Sequence, residues 1–332
     1  MRSPRLLLAG LFVLSLAAAA PAADEGYAIK VRRPARGGDA FDVHLLFEQT
    51  HQETALSSAT KSTLPAAGIR PLTRPASAPA TAPVPASLPA PTTHVIKADL
   101  TCKVEVVETN FRGQTSLWVT VQKFVSLVDN KEIVPAGKVI GILGDGTDVY
   151  LSLRSGDQLS EDARTVLKHL YPLSYQLDET SFGSKTPRKA GESWEVDALS
   201  VSQIDSDSTH QIDPKTVRGK VTLVGPEPCP APAKPAPIPG IRLNVDLACS
   251  GKDRIPKTNG EQIDHQDSKK QISALFPLDP ALPPAEFQIT TDTTGTLSRT
   301  LERNGPDLEL KFQTRTHTVE KQTITPARRS SP

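Results

Sequence analysis

The sequence predicts an all-β fold, mainly antiparallel, whose one large curved sheet forms a half-barrel or open barrel. Three observations carry this. Apolar and polar residues alternate over long runs, as in Ile241, Leu243, Val245 and Leu247, which is the period of a strand with one buried face. The runs extend over about 10 to 16 residues against a usual 5 to 6, and long one-sided strands twist and coil around something apolar. Finally, Asn304-Gly305 stands between two alternating runs, the strongest short-range signal for a hairpin because both turn positions favour φ > 0.

Residues 1–22 read as a secretory signal peptide. Arg2 and Arg5 make a basic start, residues 6–16 are an apolar run, and Ala20-Pro21-Ala22 offers a small-x-small cleavage site ending at Ala22. The run is shorter than the roughly 20 residues of a membrane span. The expectation is an exported chain, periplasmic or extracellular, with no transmembrane span after cleavage. Residues 23–40 read as a flexible N-terminus whose basic cluster, Lys30, Arg32, Arg33 and Arg36, is solvated.

Residues 41–54 carry the first strand of the β domain, with Val43, Leu45 and Phe47 on one parity. From 55 to 93 the composition collapses to Ala, Pro, Ser and Thr, with Pro71, Pro75, Pro79, Pro83, Pro85, Pro89 and Pro91 recurring. Proline at that density has no backbone donors for a ladder and favours extended, solvated chain, so this is a disordered Ala/Pro-rich tether. Closing a long loop costs only about 0.6 kcal/mol per doubling of its length. The first strand is therefore expected to reach across the insert and pair with the main β domain, residues 94–325.

Within that domain Leu117, Val119, Val121, Val125 and Leu127 are expected to share one face, as are Phe287, Ile289, Leu297 and Leu301, and then Leu308, Leu310 and Phe312. Asp145-Gly146 and residues 110–114 read as turns, and the proline cluster from Pro226 to Pro239 as a long loop between two strands. One short helix is predicted after Ser160, a good N-cap, with Glu161 and Asp162 in its first turn, Lys168 and His169 in its last, and Tyr171-Pro172 to stop it. Ala163, Val166, Leu167, Leu170 and Tyr171 fall on one face, so the helix packs onto the sheet as a lid or plug. Residues 326–332 read as a flexible tail.

Charge narrows the function classes. The chain has 38 Lys+Arg against 37 Asp+Glu, and losing Arg2 and Arg5 moves the formal charge from +1 to −1. That balance argues against a nucleic-acid partner. The three cysteines are too few for a disulfide scaffold. If Pro226 and Ile241 lie opposite each other in a hairpin, Cys229 and Cys249 sit at its two ends, beyond the Cα spacing of about 7 Å that a disulfide tolerates. Buried, inert thiols at Cys102 and Cys249 are the simpler reading, with a bridge between them the alternative.

No catalytic, cofactor-binding or metal-binding residue emerges. The run Gly141, Gly144, Gly146 lacks the spacing and the following helix of a phosphate loop. Asp205, Asp207 and Thr209 open like a calcium loop, but His210 stands where its glycine belongs and Thr216 where its Glu belongs. Ser58 and Lys61 match a Ser-x-x-Lys pattern at the edge of the tether, where nothing desolvates the lysine. The histidines show no metal-clip spacing, and Asp264, His265, Asp267 and His317 have no predicted convergence. Trp118 and Trp194 read as core or rim anchors.

The stretch Pro187-Arg188-Lys189-Ala190-Gly191-Glu192-Ser193-Trp194 resembles a Pro-x-Lys-x-Gly-Glu-Ser-Trp segment of a family of exported, uncharacterised β-rich proteins from planctomycete-type bacteria. The resemblance implies the domain limits and brings no known activity. Physically, Gly191 frees the turn and Trp194 anchors the strand that follows. The expected function is that of an exported, non-catalytic protein of the cell envelope, binding an apolar or lipid-like ligand in the concave sheet. A structural or protein-interaction module with a filled core and an extracytoplasmic hydrolase are the alternatives, and the partner is an apolar ligand or an envelope protein.

Overall fold

The structure, a computed structural model, describes residues 26–31, 36–60, 88–109, 115–145, 148–170, 179–206, 209–230, 237–256, 260–303 and 305–327. The expected signal peptide, most of the tether (residues 61–87), the 110–114 turn, Gly146, Asn304 and the end of the tail lie outside the described residues.

The chain runs β1 (Ala40–Thr60), β2 (Thr92–Thr109), β3 (Thr115–Ser126), β4 (Val139–Asp145), β5 (Asp148–Leu153), α1 (Glu161–Leu167) and α2 (Glu179–Phe182). It continues through β6 (Ser193–Glu195), α3 (Ala198–Ile204), β7 (His210–Ile212), β8 (Arg218–Cys229) and β9 (Ile238–Asp253) to β10 (Glu261–Pro277), β11 (Glu286–Arg303) and β12 (Gly305–Pro326). All twelve strands join one antiparallel sheet in the order β5-β4-β3-β2-β1-β12-β11-β10-β9-β8-β6, with β7 added on β9. The two end strands do not meet, so the sheet stays open, as the alternation predicts.

β1 does reach across the insert. It lies in the middle of the sheet, between β2 and β12, with Phe47 opposite Ala98 on one side and Glu320 on the other. The strand is longer than residues 41–54, running to Thr60 through a bulge between Ala55 and Ser57. The apolar parity of each long strand faces inward: Leu45, Leu100, Val119, Val221 and Leu223 are fully buried. Each such Leu or Val contributes about 1.5–3 kcal/mol of burial.

Four expectations are corrected. In β3, Thr101 lies opposite Lys123 and Cys102 opposite Val121, so Gln122 is an extra residue. This bulge inverts the parity beyond it: Phe124 is buried, while Val125 turns away and Leu127 is exposed. The N-terminal stretch 23–40 is not wholly free, because Tyr27, Ile29 and Val31 enter the core and Tyr27 bridges Arg188. The proline cluster is strand at both ends, with Pro226 opposite Ile241 and pairing continuing to Cys229 and Ile238, while residues 231–236 lie outside the described residues. β6 covers β8 only at residues 220–222, which leaves Pro226 and Pro228 on an edge where a missing N–H costs little. Finally, two short helices, α2 and α3, accompany the one predicted.

Among the described residues no helix is long and apolar enough to cross a membrane. Cys102, Cys229 and Cys249 are all buried thiols.

Candidate functional site

α1 forms as its sequence requires. Ser160 takes an extended backbone, and its hydroxyl accepts from the Ala163 amide at 3.2 Å. Ala163, Val166 and Leu167 are buried against the sheet. The chain then turns through Lys168 and His169, where the His169 ring packs at 4.8 Å, centroid to centroid, on Phe47 of β1. Its Nδ1 lies 3.2 Å from Oε2 of Glu320 on β12, and the main-chain carbonyl of His169 accepts from Nε2 of Gln322. At the other end of the helix, Asp162 faces His94 of β2 at 3.5 Å.

α3 is capped by Asp197, whose carboxylate accepts from the Ser200 amide at 2.8 Å. Its last residue is followed by Asp205, which pairs with the Lys270 ammonium of β10 at 2.7 Å. α2 is tied to α3 by the Asp197 amide donating to the Ser181 carbonyl at 3.1 Å. On its other side the Trp194 indole donates to the Phe182 carbonyl at 3.1 Å.

Between these helices and the inner face of β9, β10, β11 and β12 lies a cleft of about 390 Å3, within the usual size of small-molecule sites. Leu247, Ile272 and Ile289 form its floor, and Phe182, Val201 and Ile204 its helical wall. Its polar lining is Lys168, His169, Asp205, Lys270, Thr291, Thr318 and Glu320. The carboxylates at 205 and 320 are each held by a basic group from the opposite wall. His169 and Glu320 share a hydrogen bond, and no serine or cysteine is among the described lining residues. A larger trough of about 980 Å3 crosses β6, β8, β9, β10 and β11, where the charged side chains of Arg218, Lys220, Asp246, Lys269 and Asp292 stand beside Trp194, Val196, Val217 and Leu247.

Among the described residues, those that the sequence singled out do not assemble elsewhere. Asp205 is taken by Lys270, Asp207 lies outside the described residues, and Thr209 sits just before β7. Ser58 is on β1, with Lys61 outside the described residues. Asp264 accepts from the Ser298 hydroxyl at 2.6 Å, His265 pairs with Asp267 at 3.2 Å, and His317 pairs with Asp292 at 2.8 Å, each partly or well exposed. Gly141 and Gly144 lie within β4. Gly191 adopts φ +83° in the turn before β6, and Trp194 is half-buried with Arg188 stacked at 5.3 Å. Trp118 is 37% exposed, under the Arg154 guanidinium.

Sequence reasoning missed Lys270, Thr291, Thr318, Glu320 and Gln322. Polar residues occupy both parities of β12 from Thr314 to Gln322 except at Val319, so alternation gave no sign of an inner face there. The spacing of Glu320 and Gln322, two apart and in register with Ile324, was the available signal.

No family model matches this chain, and no curated protein matches it.

Proposed function

We propose that this chain is an exported, non-catalytic binding protein of the cell envelope whose inner-face cleft takes an apolar or lipid-like ligand. The cleft carries the reading: an apolar floor of Leu247, Ile272 and Ile289 lies beneath a cover made by α2, α3 and the turn after α1. Export is supported by the basic, apolar and small-residue regions of residues 1–22.

A second reading, a structural or protein-interaction module, is favoured by the β1–β4 half of the inner face, where Leu45, Leu100, Val119 and Ile140 are fully buried. Native mass spectrometry of the protein isolated from its own envelope separates the two. A stoichiometric apolar ligand, lost in an Ile289→Trp or Val201→Trp variant that still folds, is the expected result. A ligand-free chain accompanied by a copurifying protein overturns it in favour of the module. A hydrolase would show turnover of ester substrates that disappears in His169→Ala and Glu320→Gln.

A further inference from the structure

We infer that the ligand is a single-chain amphiphile with an anionic head, its chain lying on the Ile272–Ile289 floor and its head meeting Lys168; this rests on the cleft-binding reading above.

The register of the sheet draws a sharp boundary across the cleft floor. One row of cross-strand neighbours on the inner face runs Val245, Ile272, Ile289, Glu320, Phe47. The next row, two residues along each strand, runs Leu247, Lys270, Thr291, Thr318, Gln49. Two residues of strand span about 7 Å, so within that distance β10, β11 and β1 change from apolar to polar, while β12 carries a polar side chain in both rows and β9 an apolar one. An occupant that satisfies both rows has an apolar body and a polar end. A wholly apolar ligand would leave the Thr291 hydroxyl facing hydrocarbon, which costs free energy.

The sign of that polar end follows from which partners are already taken. Asp205 is occupied by Lys270, and Glu320 by the His169 ring. Thr318 already accepts from Gln49 Nε2 at 3.2 Å, so its hydroxyl hydrogen is left to donate. Lys168, exposed at the C-terminal end of α1 and lining the same cleft, has no acceptor among the described residues. What the cleft offers a newcomer is donors: an ammonium and threonine hydroxyls. A carboxylate or a phosphate accepts from such a set, and charge-assisted bonds to it are the strong ones. The size of about 390 Å3 lies near the lower limit of ligand sites, and suits one chain better than two.

Calorimetric titration of the full chain with ligands sharing one twelve-carbon chain tests this, each kept below its micelle concentration. Dodecanoate and dodecyl phosphate present the two anionic heads, monododecanoylglycerol a neutral head, and dodecyltrimethylammonium a cationic one. At least one anionic ligand is expected to bind with one-to-one stoichiometry and at least about tenfold more tightly than the neutral and cationic ligands. Lys168→Gln should remove most of that advantage while leaving the neutral ligand unchanged. Preference between carboxylate and phosphate identifies the head. Equal affinity for all four, or an anionic preference untouched by Lys168→Gln, overturns the anionic inference and leaves the cleft reading standing. If none of the four binds, or binding survives in folded Ile289→Trp and Val201→Trp variants, the cleft reading itself falls.

Discussion

Gln322 of β12 holds the main-chain carbonyl of His169 through its side-chain Nε2, while Glu320, two residues earlier on the same strand face, holds the His169 ring. One residue of the turn after α1 is thus fastened to the central strands by backbone and side chain together. Gln322 is almost wholly buried, so an apolar substitute leaves a carbonyl without its donor. Gln322→Leu is expected to lower stability by about 1–3 kcal/mol. Hydrogen exchange should show faster exchange of the α1 amides than in the parent chain, with β8 and β9 unchanged; uniform loss across the sheet would contradict a local clasp.

Leu45 lies between Leu100 on β2 and Gln322 on β12, with no exposed surface. Leu45→Ala should cost about 2–5 kcal/mol, because the central sheet has few neighbours free to collapse into the space. Its outward neighbour Leu46 is 38% exposed, and Leu46→Ala should change stability by less than about 0.5 kcal/mol. Urea unfolding midpoints of the pair measure both.

A pH dependence follows from Arg242. Its guanidinium forks onto Glu227 at 2.5 and 2.6 Å, reaches Glu286 at 3.0 Å and the Ser273 hydroxyl at 3.3 Å, and so spans β8, β9, β10 and β11. The hydrogen bonds from Arg242, aided by its charge and opposed by partial burial, hold the Glu227 carboxyl below its usual range. A carboxyl lowered in the folded state contributes stability above its unfolded pKa of about 4.3, and that contribution disappears as pH falls through the folded value. Because Glu227 is 40% exposed, the contribution is under about 1 kcal/mol. The stability difference between the parent chain and Arg242→Met should therefore shrink as pH is lowered from about 5 to about 3, as followed by urea midpoints; a constant difference would exclude this linkage.

The thiols should be inert in the folded protein. Burial, helped by the nearby Asp42 charge, pushes Cys102 up to about 12, and burial raises Cys249 as well. At pH 8 a thiol of that kind is only about one part in ten thousand thiolate. Ellman's reagent at pH 8 should find no reactive thiol before unfolding and three in urea, matching the three cysteines of the sequence. Rapid labelling of the native chain would refute this.

Much of the fold was legible because it depends on local chemistry. Ser160 announced α1 by its hydroxyl and the acids behind it, and apolar alternation marked the strands on both sides of the proline cluster. The bulge at Gln122 was not legible, since one extra residue inverts every side chain after it without changing composition. α2 has four residues and no period to detect. α3, Ala198–Ile204, places Leu199 and Val201 two apart as a strand would, and Asp197 is the only sign of a cap. The cleft was hidden for a different reason: its floor and its cover come from segments far apart in sequence, and Glu320, Thr318 and Lys270 have the composition of an exposed strand. Only the register shows that they face inward.

The seam between β1 and β12 joins the first long strand of the chain to the last, with Phe41 opposite Pro326. A chain made from its N-terminus therefore carries β1 half-paired while β2 to β11 are made, with Phe47 and Leu45 lacking their β12 neighbours until that strand follows. Contacts of such long sequence separation form slowly. Truncation by a single terminal strand would not trim an edge of this sheet; it would split the sheet down its middle.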